Sequence, residues 1–363
     1  MTEVTAGRVL LLGTGAGREL SATFERLGVS SVHVEDYADV DAVAALVDEH
    51  RPDYVVALSP DVPADALVAA AERDSVEVFP TPRAVRLGVD HEGLRRLAAD
   101  ELGLPTVPFW FASSAEELAA VASHAGFPLI VTPLTGKVAD GQSVLTRLDD
   151  VEPAWRRAVA AVPMLPNQVM AETVVDVDDV VTLLTVRTIE PSGPAVQFCE
   201  PIGHRRAADG APLETWQPQQ LSPAALGAAR SIAARIVHSL GGRGLFAVEL
   251  LIRGDEVYFN TVKAGPVDVG LLTLRSQRLS QYELHARSIL GLSVDTIMIS
   301  PAAAEVGTQT TIAAKALTEA LIVPESDVRL TDGVSVALAT APDVVRARDR
   351  AHRISTELHE LGS

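Results

Sequence analysis

The first eighty residues alternate between short apolar runs and amphipathic stretches. Four apolar runs are spaced along this region, at residues 8–12, 31–34, 54–58 and 76–79. Stretches with helical spacing of apolar positions separate them, at residues 17–27, 41–49 and 64–73. Short apolar runs are typical of buried parallel strands, and strands that alternate with helices predict a parallel sheet. A glycine turn, Gly13–Gly17, follows the first run; it either binds a phosphate or only permits a tight turn.

Beyond residue 88 the pattern changes to longer strands grouped around a few helices. Helices are predicted at residues 88–102, 116–124, 150–162, 223–240, 282–290 and 341–361. Strands are predicted at residues 128–132, 167–173, 180–187, 195–200, 246–252 and 257–262. The last two strands flank a Gly-Asp turn, which predicts a β-hairpin.

Composition narrows the classes of function. A net charge of −18 argues against nucleic acid and anionic membranes as partners, because both need a basic surface. The single cysteine, Cys199, excludes an internal disulfide framework and fits a reducing cytosol. It lies in an apolar run, so we expect a buried, inert thiol. Neither a signal-peptide pattern nor an apolar run of membrane-spanning length is present, and we expect a cytoplasmic protein.

The predicted hairpin carries most of the candidate chemistry. Glu249 lies in its first strand, and its second strand presents Asn260, Thr261 and Lys263 at the start of a loop. Lysine is rare in this chain, which has three lysines and 27 arginines. Since lysine commonly serves as the point charge that holds a phosphate, this scarcity argues against an extensive triphosphate site.

The order of these segments resembles the ATP-grasp superfamily, and most closely formate-dependent phosphoribosylglycinamide formyltransferase of purine synthesis. The resemblance rests on residues 90–106, 180–186, 203–206, 214–223, 241–259, 267–274 and 333–341, among them the motif TWQPQQ. It implies an α/β ATP-grasp fold with a Rossmann-like parallel-sheet domain over residues 1–88. An α+β ATP-grasp domain would follow over 89–300, with subdomains at about 107–174 and 175–300. A small β-rich domain would occupy 301–363.

The resemblance also implies a reaction and its cofactors. Members of the family use ATP and Mg²⁺ to activate formate, and then pass the formyl group to the amine of glycinamide ribonucleotide. The adenine hinge of the family falls on Glu172, Thr173, Val174 and Val175. The acid expected on the ribose, eight positions beyond Glu172, is Val180.

The phosphate and metal positions depart from the family pattern. The two lysines of the phosphate cradle are replaced by Thr132 and Asp140, which leaves Lys137 as the candidate phosphate contact. Of the metal ligands Glu249 is present, whereas the second carboxylate position is Thr261 and the third ligand position is Lys263. We hypothesise that Lys263 pairs with Glu249 in place of the metal, because an unpaired buried acid is costly. The alternative is that both side chains reach solvent separately.

The acceptor end keeps one candidate catalytic residue, Asp268, which would hold the acceptor amine. The family's arginine in the linker helix is His91, and its C-terminal phosphate clamp falls in a deletion near residues 330–333. We interpret the chain as a homologue that has become a non-catalytic or repurposed scaffold or binding partner, without a confident cofactor. The alternative is an active ATP-dependent formyltransferase with a diverged site.

Two further expectations concern assembly and packing. The resemblance implies a homodimer, and a heteromer with a related enzyme is a second possibility. We expect Trp216 to be a core or interface anchor, and His204 and Arg205 to be structural.

Overall fold

The computed structural model describes residues 7–37, 39–59, 61–73, 75–134, 141–161, 168–206, 213–308, 311–331 and 333–360. The strands are β1 (Arg8–Leu12), β2 (Ser30–Val34), β3 (Tyr54–Ala57), β4 (Glu77–Phe79), β5 (Phe109–Ala112), β6 (Leu129–Pro133), β7 (Ser143–Leu145), β8 (Val169–Thr173), β9 (Asp179–Glu190), β10 (Gly193–Phe198), β11 (Ile202–Arg206), β12 (Leu213–Gln217), β13 (Gly244–Arg253), β14 (Glu256–Ala264), β15 (Ala302–Gly307), β16 (Ser326–Thr331) and β17 (Val334–Thr340).

The α-helices are α1 (Gly17–Arg26), α2 (Val40–His50), α3 (Ala64–Ala71), α4 (Pro82–Val89), α5 (His91–Arg96), α6 (Ala115–Ala125), α7 (Val151–Ala160), α8 (Pro223–Leu240), α9 (Thr273–Ser276), α10 (Gln281–Ile289), α11 (Ala314–Ala320) and α12 (Val344–Glu360). None of the helices in the described ranges is long and apolar enough to span a bilayer.

The N-terminal sheet is parallel, as predicted, with strand order β2-β1-β3-β4. The central strand β1 is buried from Val9 to Leu12, which explains its uninterrupted apolar sequence. Gly13 and Gly15 in the turn after β1 have φ values of 94° and 117°. Glycine adopts such values without the steric cost that other residues incur. The tight turn therefore requires glycine at these two positions.

The segment that links this sheet to the rest differs from the single helix predicted at 88–102. Thr81 caps α4 by accepting a hydrogen bond from the amide of Ala84, and Pro82 occupies the first helical turn. Asp90 then ends α4 and caps α5, because its carboxylate accepts the amide of Gly93 at 2.8 Å. The sequence analysis predicted no helix over most of α4, although proline is favoured in the first turn of a helix.

Two further sheets follow. The smaller has the order β5-β8-β6-β7, and helices α6 and α7 pack on it. The larger contains nine described strands, with β13 hydrogen-bonded between β14 and β9, so the predicted hairpin is confirmed. Strands β15 to β17, in the region predicted as a separate C-terminal domain, continue this same sheet through β12.

Helix α8 covers one face of the large sheet. Its buried residues, among them Ile232 and Ile236, pack against Phe246 and Phe259 of the hairpin. Strand β14 is the edge strand of this sheet, and residues of helix α5 and of the small sheet lie around one cavity with it. The cleft between these elements is the candidate site.

Candidate active site

A cavity of about 270 Å³ lies where helix α5, the small sheet and the hairpin meet. Its polar lining comes from all three elements and includes Arg95, Thr132, Glu172, Asn260 and Lys263. The sequence predicted Glu172 and Lys263 as site residues, and the fold brings them into one cavity. We call this space the nucleotide-side cavity, because it contains the residues that the adenine-hinge and phosphate predictions single out.

Glu172 is committed to a buried ion pair. Its carboxylate accepts a hydrogen bond from Arg95 at 2.5 Å, and the two side chains are only 14% and 6% exposed. Burial raises the pKa of the Glu172 carboxyl, and the guanidinium of Arg95 opposes that rise. Arg95 also donates to the carbonyl of Phe259 at 3.3 Å. This arginine therefore ties the linker helix to the small sheet and to the hairpin.

In the predicted adenine hinge, two backbone amides already have backbone acceptors. The amides of Thr173 and Val174 donate to the carbonyls of Pro108 and Pro128 at 3.0 and 3.2 Å. The amide of Val175 has no backbone acceptor among the described residues. A planar ring that enters beside the hinge would therefore meet the Val175 amide rather than those of its two predecessors.

Glu249 does not pair with Lys263, and that hypothesis is wrong. The Glu249 carboxylate accepts a hydrogen bond from the side-chain amide of Asn260 at 2.6 Å, and it lies 3.6 Å from Nε2 of His204. In the strand register Glu249 is opposite Thr261 and Lys263 is opposite Ala247, so Glu249 and Lys263 are diagonal neighbours rather than a directly opposed pair.

A β-bulge positions Asn260. The pairing shifts between Glu249 and Leu250, since Glu249 pairs with Thr261 and Leu250 pairs with Phe259. Asn260 is the extra residue of β14, so its side chain departs from strict alternation and reaches the carboxylate. Asn260 was noted in the sequence as part of the hairpin but without this role. A bulge has no dependable sequence signal, and strict alternation predicts the wrong neighbour.

His204 completes the surroundings of Glu249. Its Nε2 is 3.0 Å from the hydroxyl of Thr182, and the residue is 8% exposed. Burial lowers the pKa of His204, while the Glu249 carboxylate acts in the opposite direction. We therefore describe His204 as a neutral imidazole at pH 7 that supports Glu249 without cancelling its charge.

The metal implied by the family can be tested against this donor set. No group of three or more His, Cys, Asp or Glu side chains capable of holding a metal occurs in the described ranges. Mg²⁺ commonly binds through only one or two carboxylates and completes its shell with substrate phosphates and water. The Glu249 carboxylate and the Asn260 amide oxygen meet the lower limit of this requirement. These two residues fit a Mg²⁺ ion that arrives with a nucleotide.

Asp268 lies in a second cavity of about 280 Å³, which we call the acceptor-side cavity. The loop before Asp268 is fixed by Gln281, whose side-chain amide binds both the N–H and the C=O of Val267 at 3.0 Å. Gly270 permits this arrangement, because a Cβ there would lie 2.1 Å from Oε1 of Gln281. Gln281 was not predicted from the sequence; a fully buried glutamine is recognised only once its partners are known.

Several predicted residues lie elsewhere. Lys137 and Asp140, predicted at the phosphate cradle, are outside the described residues. Cys199 is fully buried, as expected, and burial raises the pKa of its thiol to about 12. Trp216 is a core anchor: the guanidinium of Arg348 lies 4.2 Å from its ring centroid, and its Nε1 donates to Gln219 at 2.6 Å.

Comparison with known proteins identifies the class of protein to which this architecture belongs. A model of the ATP-grasp domain matches residues 97–282. The N5-carboxyaminoimidazole ribonucleotide synthetase from Thermus thermophilus has the same fold, with a TM-score of 0.83 over 98% of this chain and 99% of that one at 21% identity. The fold and the cleft between hinge and hairpin therefore define an ATP-grasp protein.

Relatives of higher sequence identity define the family within the ATP-grasp class to which the chain belongs. The formate-dependent phosphoribosylglycinamide formyltransferase of Corynebacterium glutamicum (strain R) is 43% identical over 379 residues, which covers 95% of this chain and 92% of the relative. That of Rhodococcus jostii is 42% identical and covers 99% and 97%. The structure of glycinamide-RNase-transformylase T from Mycobacterium tuberculosis superposes with a TM-score of 0.84 at 47% identity, over 97% of this chain and 100% of that one. The chain belongs to the family of formate-dependent phosphoribosylglycinamide formyltransferases.

Proposed function

We propose that the protein is an ATP-dependent formyltransferase of purine biosynthesis that acts on formate and glycinamide ribonucleotide. The observation that carries the proposal is that the nucleotide-side and acceptor-side cavities share Lys263 as a common wall residue. A transferase that makes a reactive acyl intermediate needs such adjacent cavities, because the intermediate must reach the acceptor before water does. The relatives' identity of 42–43% supports the choice of substrates.

The chemistry proceeds in two steps. A carboxylate oxygen of formate attacks the γ-phosphorus of ATP, and the bond from that phosphorus to the bridging oxygen breaks to give formyl phosphate and ADP. The amine of the acceptor then attacks the formyl carbon, phosphate leaves, and the amine loses a proton. In this proposal Asp268 holds the amine and accepts that proton, while the Val175 amide receives the adenine ring.

Glu249 and Asn260 would hold Mg²⁺ against the phosphates of the nucleotide. The ion would neutralise charge on the transferring phosphoryl group. The carboxylate is kept ready by Asn260 and His204, which hold it without a full counter-charge. We further propose that the protein is cytoplasmic and that it works as a homodimer or as a heteromer with a related enzyme.

A second candidate is a binding protein without turnover. Thr261 stands opposite Glu249 in the hairpin register, so a threonine hydroxyl occupies the second carboxylate position of the family. Each stabilising donor is typically worth on the order of 10²–10³ in rate. A site with one carboxylate could therefore retain the nucleotide and yet lose the reaction.

One experiment separates the two candidates. Purified protein is incubated with ATP, Mg²⁺, formate and glycinamide ribonucleotide, and ADP release and the formylated product are measured by a coupled assay and mass spectrometry. The proposal predicts ADP release that depends on both formate and the acceptor and that falls to background in Glu249→Gln. Calorimetric binding of Mg·ATP without product would select the second candidate and overturn the first.

A further inference from the structure

Lys263 occupies a distinctive place in the cleft. It lies near the end of β14, and it lines both the nucleotide-side cavity and the acceptor-side cavity. A group at this junction can contact a small molecule that is activated in one cavity and consumed in the other.

The positive charge of Lys263 is available to a ligand. Within the described part of the chain, the ammonium group of Lys263 has no acidic partner within 4.0 Å. The ion pairs formed there involve arginine or histidine side chains instead. Arg95, the other full cation in the described lining, is already neutralised by Glu172 at 2.5 Å.

The third basic group in this lining does not compete for an anion. Burial lowers the pKa of His91, and the charges of Arg95 and Lys263 lower it further, although Asp90 opposes them. His91 is therefore a neutral imidazole at pH 7. Lys263 is left as the uncompensated positive charge within the described walls of the two cavities.

The acceptor-side cavity also contains a negative charge. Asp268 lines it together with Lys263, and its remaining lining is largely apolar, including Ala84, Val85 and Val267. A carboxylate is attracted to Lys263 and repelled by Asp268, whereas an amine has the reverse preference. The two charges thus attract an acid and an amine into the same small cavity.

We propose that Lys263 is the binding residue for the small carboxylate substrate and for the acyl phosphate made from it. The identity of this carboxylate as formate rests on the function proposed above. Lys263 would hold one carboxylate oxygen through a charge-assisted hydrogen bond while the other attacks the γ-phosphorus. The same ammonium then binds the phosphate of the acyl phosphate and releases it after the amine has attacked.

Steady-state kinetics test the assignment. Lys263→Met is expected to raise the KM for formate by roughly 10- to 100-fold, the range for loss of a charge-assisted hydrogen bond, and to leave the KM for ATP within about twofold. Lys263→Arg should recover part of the loss, since it restores the charge at a different geometry. The matched control is Lys315→Met, which removes an exposed lysine of α11 and should change neither constant.

A second experiment measures formate binding and does not depend on turnover. The NMR linewidth of [¹³C]formate is measured against the full chain with Mg·ADP, with circular dichroism confirming that each variant is folded. Saturable broadening by the wild type that is lost in Lys263→Met supports the inference even if no ADP is released, in which case the proposed function alone fails. An unchanged KM for formate in Lys263→Met, or no saturable broadening by the wild type, would overturn the inference.

Discussion

The buried pair between Arg95 and Glu172 offers a sharp test of what holds the cleft together. Replacing Arg95 by Met keeps much of the side-chain volume and removes the charge. It leaves the Glu172 carboxylate, 14% exposed, without its partner at 2.5 Å. The carbonyl of Phe259 also loses its donor. Two segments of the site are therefore affected by one substitution.

The expected cost follows from burial. Removing one member of a buried ion pair typically destabilises a protein by roughly 3–5 kcal/mol, because the remaining charge is left desolvated. We expect Arg95→Met to lower the free energy of unfolding by this amount at neutral pH. The double variant Arg95→Met/Glu172→Met should recover most of it, since no unpaired charge then remains.

The loss should depend on pH. Without Arg95, burial raises the pKa of Glu172 above its unfolded value, so the folded variant binds this proton more tightly than the unfolded chain. Its stability is then greatest below the unfolded pKa of about 4.3 and decreases as the pH rises toward the folded pKa. The deficit relative to wild type should be smaller at about pH 5 than at about pH 8.

Urea denaturation monitored by circular dichroism measures these differences. Arg96→Met is the matched control, because the neighbouring Arg96 is 54% exposed and pairs with Glu92 on the surface. Exposed pairs contribute about 0–1 kcal/mol. The reasoning would be refuted if Arg95→Met cost no more than Arg96→Met, or if the double variant were less stable than Arg95→Met alone.

Three more predictions concern the hairpin and its supports. Glu249→Gln should weaken Mg·ATP binding at least roughly tenfold in calorimetry while leaving metal-free ATP binding unchanged; equal losses in both would argue against a metal role. Gly203→Ala places a Cβ 2.4 Å from the ring of Trp216, so unfolding should require about 1–3 kcal/mol less, and an unchanged urea midpoint would contradict this packing. Burial lowers the pKa of His285 from 6.5 to about 4, so stability should be fully present above pH 6.5 and decrease by roughly 3 kcal/mol as the pH falls to 4. His285→Gln should lack this decrease, and a parallel pH profile would exclude His285 as its source.

The linker shows where a local pattern was insufficient. Apolar spacing over residues 88–102 predicted one helix, yet the chain forms α4, α5 and a π-helical turn over Leu97–Glu101. The cap at Asp90 decides the break, because its carboxylate competes for the amide of Gly93. The same break places Arg95 where it meets Glu172, so the geometry of the cavity depends on a local signal that periodicity does not report.

The sequence by itself determined the parallel N-terminal sheet, the hairpin and the ATP-grasp family, because runs such as residues 8–12 and the motif around Trp216 are local in the chain. Only the tertiary structure decided the partners of Glu249. His204 reaches it from β11, a strand distant in the sequence, and Asn260 reaches it through a bulge that shifts the register by one residue. An alternating pattern assigns side chains to faces within one strand, but it contains no information on how far one strand slides against its neighbour. The position of one strand relative to its neighbour therefore sets the charge environment of the site.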